Sequence, residues 1–183
     1  GGLGANALVG RKISAIDDYG ESPRSDATFA YTHANPPGAV AVSDISTGSF
    51  VLDWGDGGNP AYTRWELSLW DSDSFTLSLS SPIKISDNHV HSSAALTGLS
   101  ATTTYYIRIR AKNGREGDLS LGTNFTTFSQ ATVVTLTPAP GSLSIASVGT
   151  NSIDYAWSAV PTASSYILAD ENGATLANTG GLA

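Results

Sequence analysis

One phrase occurs twice in this sequence, and it constrains the fold more than any other feature. Residues 99–111 read LSATTTYYIRIRA, a turn followed by apolar side chains at alternate positions. A period of two places those side chains on one face of a β-strand. A related phrase, LGANALVGRKISA, occupies residues 3–15. The chain is therefore predicted to be a repeat protein with a period of about 100 residues.

The region 36–130 consists of short apolar-alternating runs separated by turn residues. Besides the strand that ends at Ala111, the runs predict strands at Val40–Ile45, Phe50–Trp54, Trp65–Trp70, Phe75–Leu79, Ala94–Leu96 and Leu121–Thr127. Residues 80–92 are predicted to be irregular. Short strands at this spacing are typical of an antiparallel β-sandwich, and helical periodicity is missing. The predicted fold class is all-β.

The two flanking regions hold fewer strands than a sandwich needs. Residues 1–35 contain two predicted strands joined by a loop at 17–24, and the apolar pattern restarts in 142–183 after a proline-containing linker at 131–141. Neither flank can cover a core by itself. Three explanations stay open: a window of a longer tandem array, completion of one chain's C-terminal half by the next chain's N-terminal half, or truncated, partly disordered halves.

The region 36–130 resembles a fibronectin type III domain. Trp54 closes the second predicted strand, Trp65 opens the third, and Leu99 and Tyr105 lead into the strand that ends at Ala111. Residues 142–183 resemble the N-terminal half of such a domain, and residues 1–35 resemble the C-terminal half. The resemblance implies immunoglobulin-like β-sandwiches in tandem, as in bacterial-type extracellular repeat proteins.

The resemblance also implies a structural role for particular side chains. The hydroxyl of Tyr105 is expected to bond to nearby backbone, as in a tyrosine corner, whereas Val9 occupies the equivalent position near the N-terminus. The predicted structural core comprises Trp54, Trp65, Leu99, Tyr105, Ile107, Ile109, Trp157 and Tyr166.

Charge and composition exclude several classes of function. The net charge of −7 and the absence of a basic stripe argue against binding to nucleic acid. No apolar run is long enough for membrane insertion. Cysteine is absent, which excludes disulfides and thiolate chemistry. The sequence contains no nucleophile elbow, zinc-protease signature or phosphate loop. We therefore expect no enzyme activity and no cofactor.

Two groups of residues are weak candidates for metal ligands. Asp87, His89 and His91 stand two positions apart, so their side chains share one face of an extended strand, the solvent face by the alternation of Ala94 and Leu96. The alternative is a polar edge in an irregular loop. A set of aspartates in predicted turns suggests calcium, without the spacing of a calcium loop. These aspartates are Asp53, Asp56, Asp71 and Asp73.

Other residues point to surface contacts. Arg64 and Trp70 are predicted on the outer face of the third strand, as a candidate interface with a sugar or, more simply, with a loop or neighbouring domain. The stretch Arg115–Asp118 approximates an Arg-Gly-Asp motif but is interrupted by glutamate. Residues Asn124–Thr126 form an N-glycosylation sequon within a predicted strand.

Together these features predict an extracellular or cell-surface structural protein. The predicted partners are neighbouring repeats, in tandem or head to tail in a filament, with a glycan or another surface protein as a further candidate. The predicted role is part of a stalk, sheath or filament built from fibronectin type III repeats. The alternatives are an accessory spacer or binding region of a large secreted carbohydrate-active enzyme, and an adhesin for glycans or a host.

Overall fold

The computed structural model describes residues 2–73, 75, 84–115 and 125–180. These residues form β-strands and no helix, so none of them belongs to a helix that could cross a membrane. In chain order the strands are β1 (Leu8–Arg11), β2 (Ile16–Asp17), β3 (Gly20–Glu21), β4 (Thr28–Tyr31), β5 (Val40–Ser43), β6 (Ser49–Trp54), β7 (Arg64–Trp70), β8 (Lys84–His89), β9 (Ser93–Thr97), β10 (Thr104–Lys112), β11 (Ser129–Val134), β12 (Gly141–Val148), β13 (Ile153–Ser158), β14 (Ser165–Ala169) and β15 (Thr175–Gly180).

The middle of the chain forms an antiparallel sandwich, which confirms the predicted fold class. One sheet has the strand order β5-β6-β9, and the other has the order β11-β10-β7-β8. Side chains alternate between buried and half-buried along β7 and β10, as the period of two requires. The two inner faces meet in one core, whose largest members include Phe50, Leu52, Trp54, Trp65, Leu67, Leu69, Leu96, Tyr105, Ile107 and Ile109.

The structure corrects the prediction that residues 80–92 are irregular. Residues 84–89 form β8, which pairs with β7 through two register shifts. Its sequence, KISDNH, lacks apolar alternation, and it forms the edge of its sheet, paired with β7. The strand predicted at Phe75–Leu79 lies outside the described residues, except for Phe75.

The last strand of the sandwich also differs from the prediction. The expected strand was Leu121–Thr127, yet β11 spans Ser129–Val134 and ends beyond the boundary predicted at residue 130. Lys112 bridges Phe125, whereas Ile109 pairs with Ser129, so this side of the ladder carries one extra residue. A β-bulge of this kind breaks the alternation from which the strand was predicted. Residues 121–124 lie outside the described part.

The N-terminal region is a long two-stranded ribbon. β1 pairs with β4, and β2 pairs with β3 beyond them, so the segment predicted as a loop at 17–24 includes a short hairpin. Asp17 accepts a hydrogen bond from the Tyr19 N–H (2.8 Å) at the tip, where Tyr19 is 98% exposed. Farther down, the Phe29 ring lies against Gly10, its cross-strand partner.

The C-terminal region forms two separate pairs of strands, β12 with β13 and β14 with β15. Trp157 and Tyr166, both predicted as core, are half-buried here, with their ring centroids 5.5 Å apart. The Tyr166 hydroxyl accepts a hydrogen bond from the Val160 N–H (2.7 Å). The apolar side chains of these strands are otherwise largely exposed, for example Leu143, Ile145 and Ile167.

Candidate functional site

Buried polar side chains gather at one end of the middle sandwich. Asn6 precedes β1, Asn59 and Thr63 lie between β6 and β7, and Asn113 directly follows β10. All four are buried, and Asn6 has no exposed surface at all. Together with Asn35, in the connection from β4 to β5, they form what we call the asparagine joint. This joint links the N-terminal ribbon to the middle sandwich.

Asn6 is the centre of the asparagine joint. Its side-chain Nδ2 donates to the Thr63 Oγ1 (2.9 Å) and to the Gly114 carbonyl (3.1 Å), and its Oδ1 accepts from the Gly114 N–H (2.6 Å). The backbone of Asn6 has a φ of 46°, a left-handed conformation that asparagine tolerates better than most residues. This conformation turns the side chain away from the ribbon and into the sandwich.

The backbone of Asn6 is fixed as well. Its N–H donates to the His33 carbonyl (3.0 Å), and its carbonyl accepts a hydrogen bond from the Tyr62 hydroxyl. The Tyr62 ring meets the Tyr31 ring edge to face, with centroids 6.4 Å apart. The Arg115 guanidinium lies 5.8 Å from the centre of the Tyr62 ring. Two tyrosine rings and a guanidinium thus lie beside the polar centre of the joint.

Two more asparagines hold the segment that leaves the ribbon. The Asn113 Oδ1 accepts from the Ala34 N–H (2.7 Å), and its Nδ2 lies 3.3 Å from the His33 Nδ1. The Asn59 Oδ1 accepts from the Asn35 N–H (2.8 Å), while the Asn59 Nδ2 donates back to the Asn35 carbonyl (2.9 Å). Each amide therefore replaces a missing backbone partner across the joint.

The chemistry of the joint suits positioning and offers no catalytic machinery. Its buried groups are amides, a threonine hydroxyl and backbone, none of which is an acid or a base near neutral pH. A buried polar group is costly unless its hydrogen bonds are made, and then the bonds specify one geometry. The joint can therefore hold two segments in a fixed relation.

A second arrangement lies on the outer face of the sheet that contains β7 and β10. The Arg108 guanidinium stacks over the Phe75 ring at 3.3 Å, and that of Arg110 lies 3.9 Å from the centre of the Phe125 ring. Arg110 also makes two hydrogen bonds to Glu66, of 3.0 and 2.8 Å. We call this surface the arginine–aromatic face. Its members are Arg64, Glu66, Trp70, Phe75, Tyr106, Arg108, Arg110, Lys112, Phe125 and Phe128.

The candidate interface residues Arg64 and Trp70 both lie on the arginine–aromatic face. Trp70 is half-buried and packs edge to face with Phe75, with ring centroids 6.1 Å apart. Phe75, a loop residue, thus packs against Trp70, which agrees with contact to a loop rather than to a sugar. Arg64 donates to the Tyr62 carbonyl (3.0 Å), which brings its guanidinium towards the asparagine joint.

The candidate metal ligands are not assembled into a site among the residues that the structure describes. His89 was expected to face solvent, but its ring is half-buried against Trp54, with centroids 5.8 Å apart. Its Nε2 lies 2.7 Å from the Ser93 carbonyl, so that nitrogen already has a partner. His91 is exposed, and its ring centre lies 6.0 Å from that of His89. The side chain of Asp87 lies outside the described part.

The remaining candidates do not form a site in the described residues. Asp53, Asp71 and Asp73 are exposed, and Asp56 accepts from the Gly58 N–H (2.8 Å) within its own turn. Thr126 of the sequon accepts from the Ala111 N–H (3.0 Å). Residue Asn124 and the segment 116–118 lie outside the described part.

The predicted core residues of the middle sandwich are all buried, namely Trp54, Trp65, Leu99, Tyr105, Ile107 and Ile109. The Tyr105 hydroxyl accepts a hydrogen bond from the Ser100 N–H (2.9 Å), which is the geometry of a tyrosine corner.

Sequence reasoning missed the asparagine joint. Three of its residues, Asn35, Asn59 and Asn113, stand next to glycine or proline, and such pairs also mark ordinary turns. One signal was present at Asn6, which occupies the place of Thr102 in the repeated phrase. Both residues have a positive φ.

The two facing antiparallel sheets and the tyrosine corner define an immunoglobulin-like sandwich module. The model of the family described as "Fibronectin type III domain" matches residues 35–126. The chain belongs to the fibronectin type III family. Domains of this family are generally non-catalytic and are typical of extracellular or surface proteins.

Several solved structures are similar to the chain. A two-domain fibronectin type III segment of chicken tenascin is 21% identical, with a TM-score of 0.46, over 80% of this chain and 78% of that one. The three-domain segment FN1–FN3 of chicken contactin, CNTN1, is 16% identical, with a TM-score of 0.40, over 73% and 44%. A computationally redesigned β-sandwich is 22% identical, with a TM-score of 0.39, over 56% and 90%. No curated protein matches the chain.

Proposed function

We propose that this chain is a non-enzymatic structural segment of an extracellular stalk, sheath or filament built from fibronectin type III repeats. The observation that carries the proposal is the fully buried side chain of Asn6, which joins the ribbon to the sandwich. A flexible tether needs no buried polar contacts between its modules. A spacer that sets distance and direction does need them.

In this proposal the ribbon represents the last two strands of a preceding repeat, over residues 1–35. The correspondence rests on the left-handed residue before each long hairpin, Asn6 before β1 and Thr102 before β10. The four strands β12 to β15, which span residues 141–180, represent the first strands of a following repeat. Their order and pairing match those of the middle sandwich: β12 pairs with β13 as β5 pairs with β6, and β14 pairs with β15 as β7 pairs with β8.

The experiment that tests the structural role is labelling of intact producing cells with antibodies raised against the chain. The proposal expects label on intact cells, its removal by external protease, and elongated labelled structures in electron micrographs. Label that appears only after permeabilisation would contradict an extracellular role. Peptide mapping of the native polypeptide tests the alternative of an accessory region, because a carbohydrate-active catalytic domain in the same polypeptide would favour it.

The arginine–aromatic face favours one further candidate function, adhesion to an anionic glycan. Four of the nine Lys and Arg residues of this acidic chain lie on it, in two neighbouring rows on β7 and β10. Stacked guanidinium groups retain in-plane N–H donors that suit sulfate or carboxylate oxygens. A glycan array tests this candidate. Binding should weaken with Arg108→Gln or Trp70→Ala and persist with Arg24→Gln, which alters the ribbon instead.

A further inference from the structure

The second junction of the chain uses the same two structural elements as the asparagine joint. At the first junction, the left-handed residue Asn6 meets the turn before β7, where the Thr63 N–H donates to the Pro60 carbonyl (2.9 Å). At the second junction, the left-handed residue is Thr102, with a φ of 52°. It meets the turn before β14, where the Ala163 N–H donates to the Val160 carbonyl (2.9 Å).

The two left-handed residues make very different contacts. Asn6 is fully buried and joins Thr63 and Gly114 through both ends of its amide. The Thr102 hydroxyl accepts one exposed hydrogen bond, from the Thr162 hydroxyl (3.2 Å). An amide offers two donors on one atom and an acceptor on another, whereas a hydroxyl offers one donor and its acceptor lone pairs on a single atom of a shorter side chain. The first junction is thus joined by buried side-chain hydrogen bonds, whereas the hydrogen bond of Thr102 at the second junction is exposed to solvent.

The preference of each residue type for positive φ also favours asparagine over threonine at this position. Asparagine is enriched several-fold at positive φ, whereas a β-branched residue such as threonine is strained there. At the second junction the connection between the modules is itself tied to the sandwich. The Leu136 N–H donates to the Ser46 carbonyl (2.8 Å), and the Thr102 N–H donates to the Leu136 carbonyl (3.2 Å). The backbone of the corner that carries Thr102 is therefore fixed to the connection, whereas the Thr102 side chain contacts the following module through one exposed hydrogen bond.

We propose that the turn before the third strand of each repeat is a recognition surface for the corner of the preceding repeat. The residue at the left-handed position of that corner sets the stiffness of the joint. Asparagine locks the joint at the first junction, and threonine leaves a hinge at the second. The partner of this surface is another repeat of the same array. The inference rests on the proposed structural role for its biological meaning, because stiffness between repeats matters only in a spacer.

The test exchanges the two residues and measures distances across each junction. The chain has no cysteine, so spin labels can be attached to cysteines introduced at chosen positions without first removing a native cysteine. Exposed positions on strands are Thr28 in β4, Asp53 in β6 and Ala156 in β13. The pair 28/53 spans the first junction, and the pair 53/156 spans the second. Pulsed dipolar spectroscopy on the full chain gives the width of each distance distribution.

In the unsubstituted background, the inference expects a narrow distribution across the first junction and a broader one across the second. Asn6→Thr should broaden the 28/53 distribution about twofold and leave 53/156 unchanged. Thr102→Asn should narrow the 53/156 distribution and leave 28/53 unchanged. Asn6→Gly keeps the left-handed backbone without steric cost but loses all three side-chain hydrogen bonds, so it should broaden the 28/53 distribution at least as much as Asn6→Thr.

Each outcome decides one part of the inference. An unchanged 28/53 width in Asn6→Thr would overturn the role of Asn6 as the lock. An unchanged 53/156 width in Thr102→Asn would overturn the assignment of Thr102 to the hinge. If Asn6→Thr disturbs folding, as shown by altered near-ultraviolet circular dichroism, Asn6→Gly, which tolerates the positive φ, decides the first point by itself. Failure of the antibody labelling would remove the extracellular role without changing these distributions, so the two failures are distinguishable.

Discussion

Asn6 and Gly114 exchange two hydrogen bonds, although 108 residues separate them. The Gly114 N–H donates to the Asn6 Oδ1 at 2.6 Å, and the Asn6 Nδ2 donates to the Gly114 carbonyl at 3.1 Å. The amide side chain thus takes the place of a neighbouring strand for a residue that has just left β10. This pairing joins the ribbon to the end of the sandwich and carries the structural role proposed for the chain.

Gly57 provides a test of how closely the connection from β4 to β5 packs on the sandwich. A Cβ at Gly57 would lie 2.4 Å from the Pro36 carbonyl oxygen, whereas a Cβ at Gly58 would meet nothing within 4 Å. Both residues have a positive φ, so alanine at either costs about 1 kcal/mol of backbone strain. Urea denaturation should show an additional loss of about 1–3 kcal/mol for Gly57→Ala alone. Equal losses of unfolding free energy for the two variants would show that Pro36 does not pack closely against this turn.

Removing the hydroxyl of the corner tyrosine, Tyr105, should lower the stability of the sandwich. Tyr105→Phe removes the acceptor of the Ser100 N–H and should lower the free energy of unfolding by about 1 kcal/mol. Tyr106→Phe is the matched control, because it removes a hydroxyl from the outer face of the same strand. Thermal and urea unfolding of both variants measure the difference. A Tyr105→Phe variant as stable as the control would show that the corner bond contributes nothing.

The Glu66–Arg110 pair should show measurable coupling in a double-mutant cycle. The pair is bidentate, and its side chains are 15% and 27% exposed, so water screens it incompletely. We expect a coupling of about 1 kcal/mol between Glu66→Gln and Arg110→Gln. The control is Glu21–Arg24, whose charged atoms lie 3.6 Å apart on an exposed turn and whose coupling should be undetectable. Equal coupling in both cycles would contradict this account of the arginine–aromatic face.

The Phe29 ring tests how the ribbon keeps its register. It covers Gly10, where an added Cβ would lie 2.5 Å from a ring carbon. Gly10→Ala should displace the ring and shift its aromatic proton resonances, whereas Gly2→Ala, where a Cβ meets nothing within 4 Å, should leave them in place. Unchanged Phe29 resonances in Gly10→Ala would contradict the cross-strand contact.

The sandwich was largely predictable because its central strands alternate strictly. In β10, Tyr105, Ile107 and Ile109 face the core, and the polar residues between them face outward. This alternation requires no knowledge of the partner strands. β8 and β11 escaped prediction for opposite reasons. β8 is an edge strand whose sequence shows no apolar alternation, and the bulge between Phe125 and Ser129 interrupts the alternation before β11 begins.

The asparagine joint was beyond local sequence reasoning for a different reason. Asn59 and Asn113 have the composition of ordinary turns, and their function arises from partners in another module. Nothing in the residues around Asn113 indicates that its amide will bind the backbone of Ala34, 79 residues away. The equivalence of Asn6 and Thr102 within the repeat was visible, but the contrast between their contacts required the structure.

Amide hydrogen exchange at Gly114 tests the central claim most directly. This amide lies in a loop and is protected here only if its bond to the Asn6 Oδ1 persists in solution. The account predicts slow exchange in the unsubstituted chain and exchange at least about tenfold faster in Asn6→Ala, with the amides of Ile107 and Ile109 unaffected. Equal exchange at Gly114 in the two proteins would contradict the claim that Asn6 locks the ribbon to the sandwich.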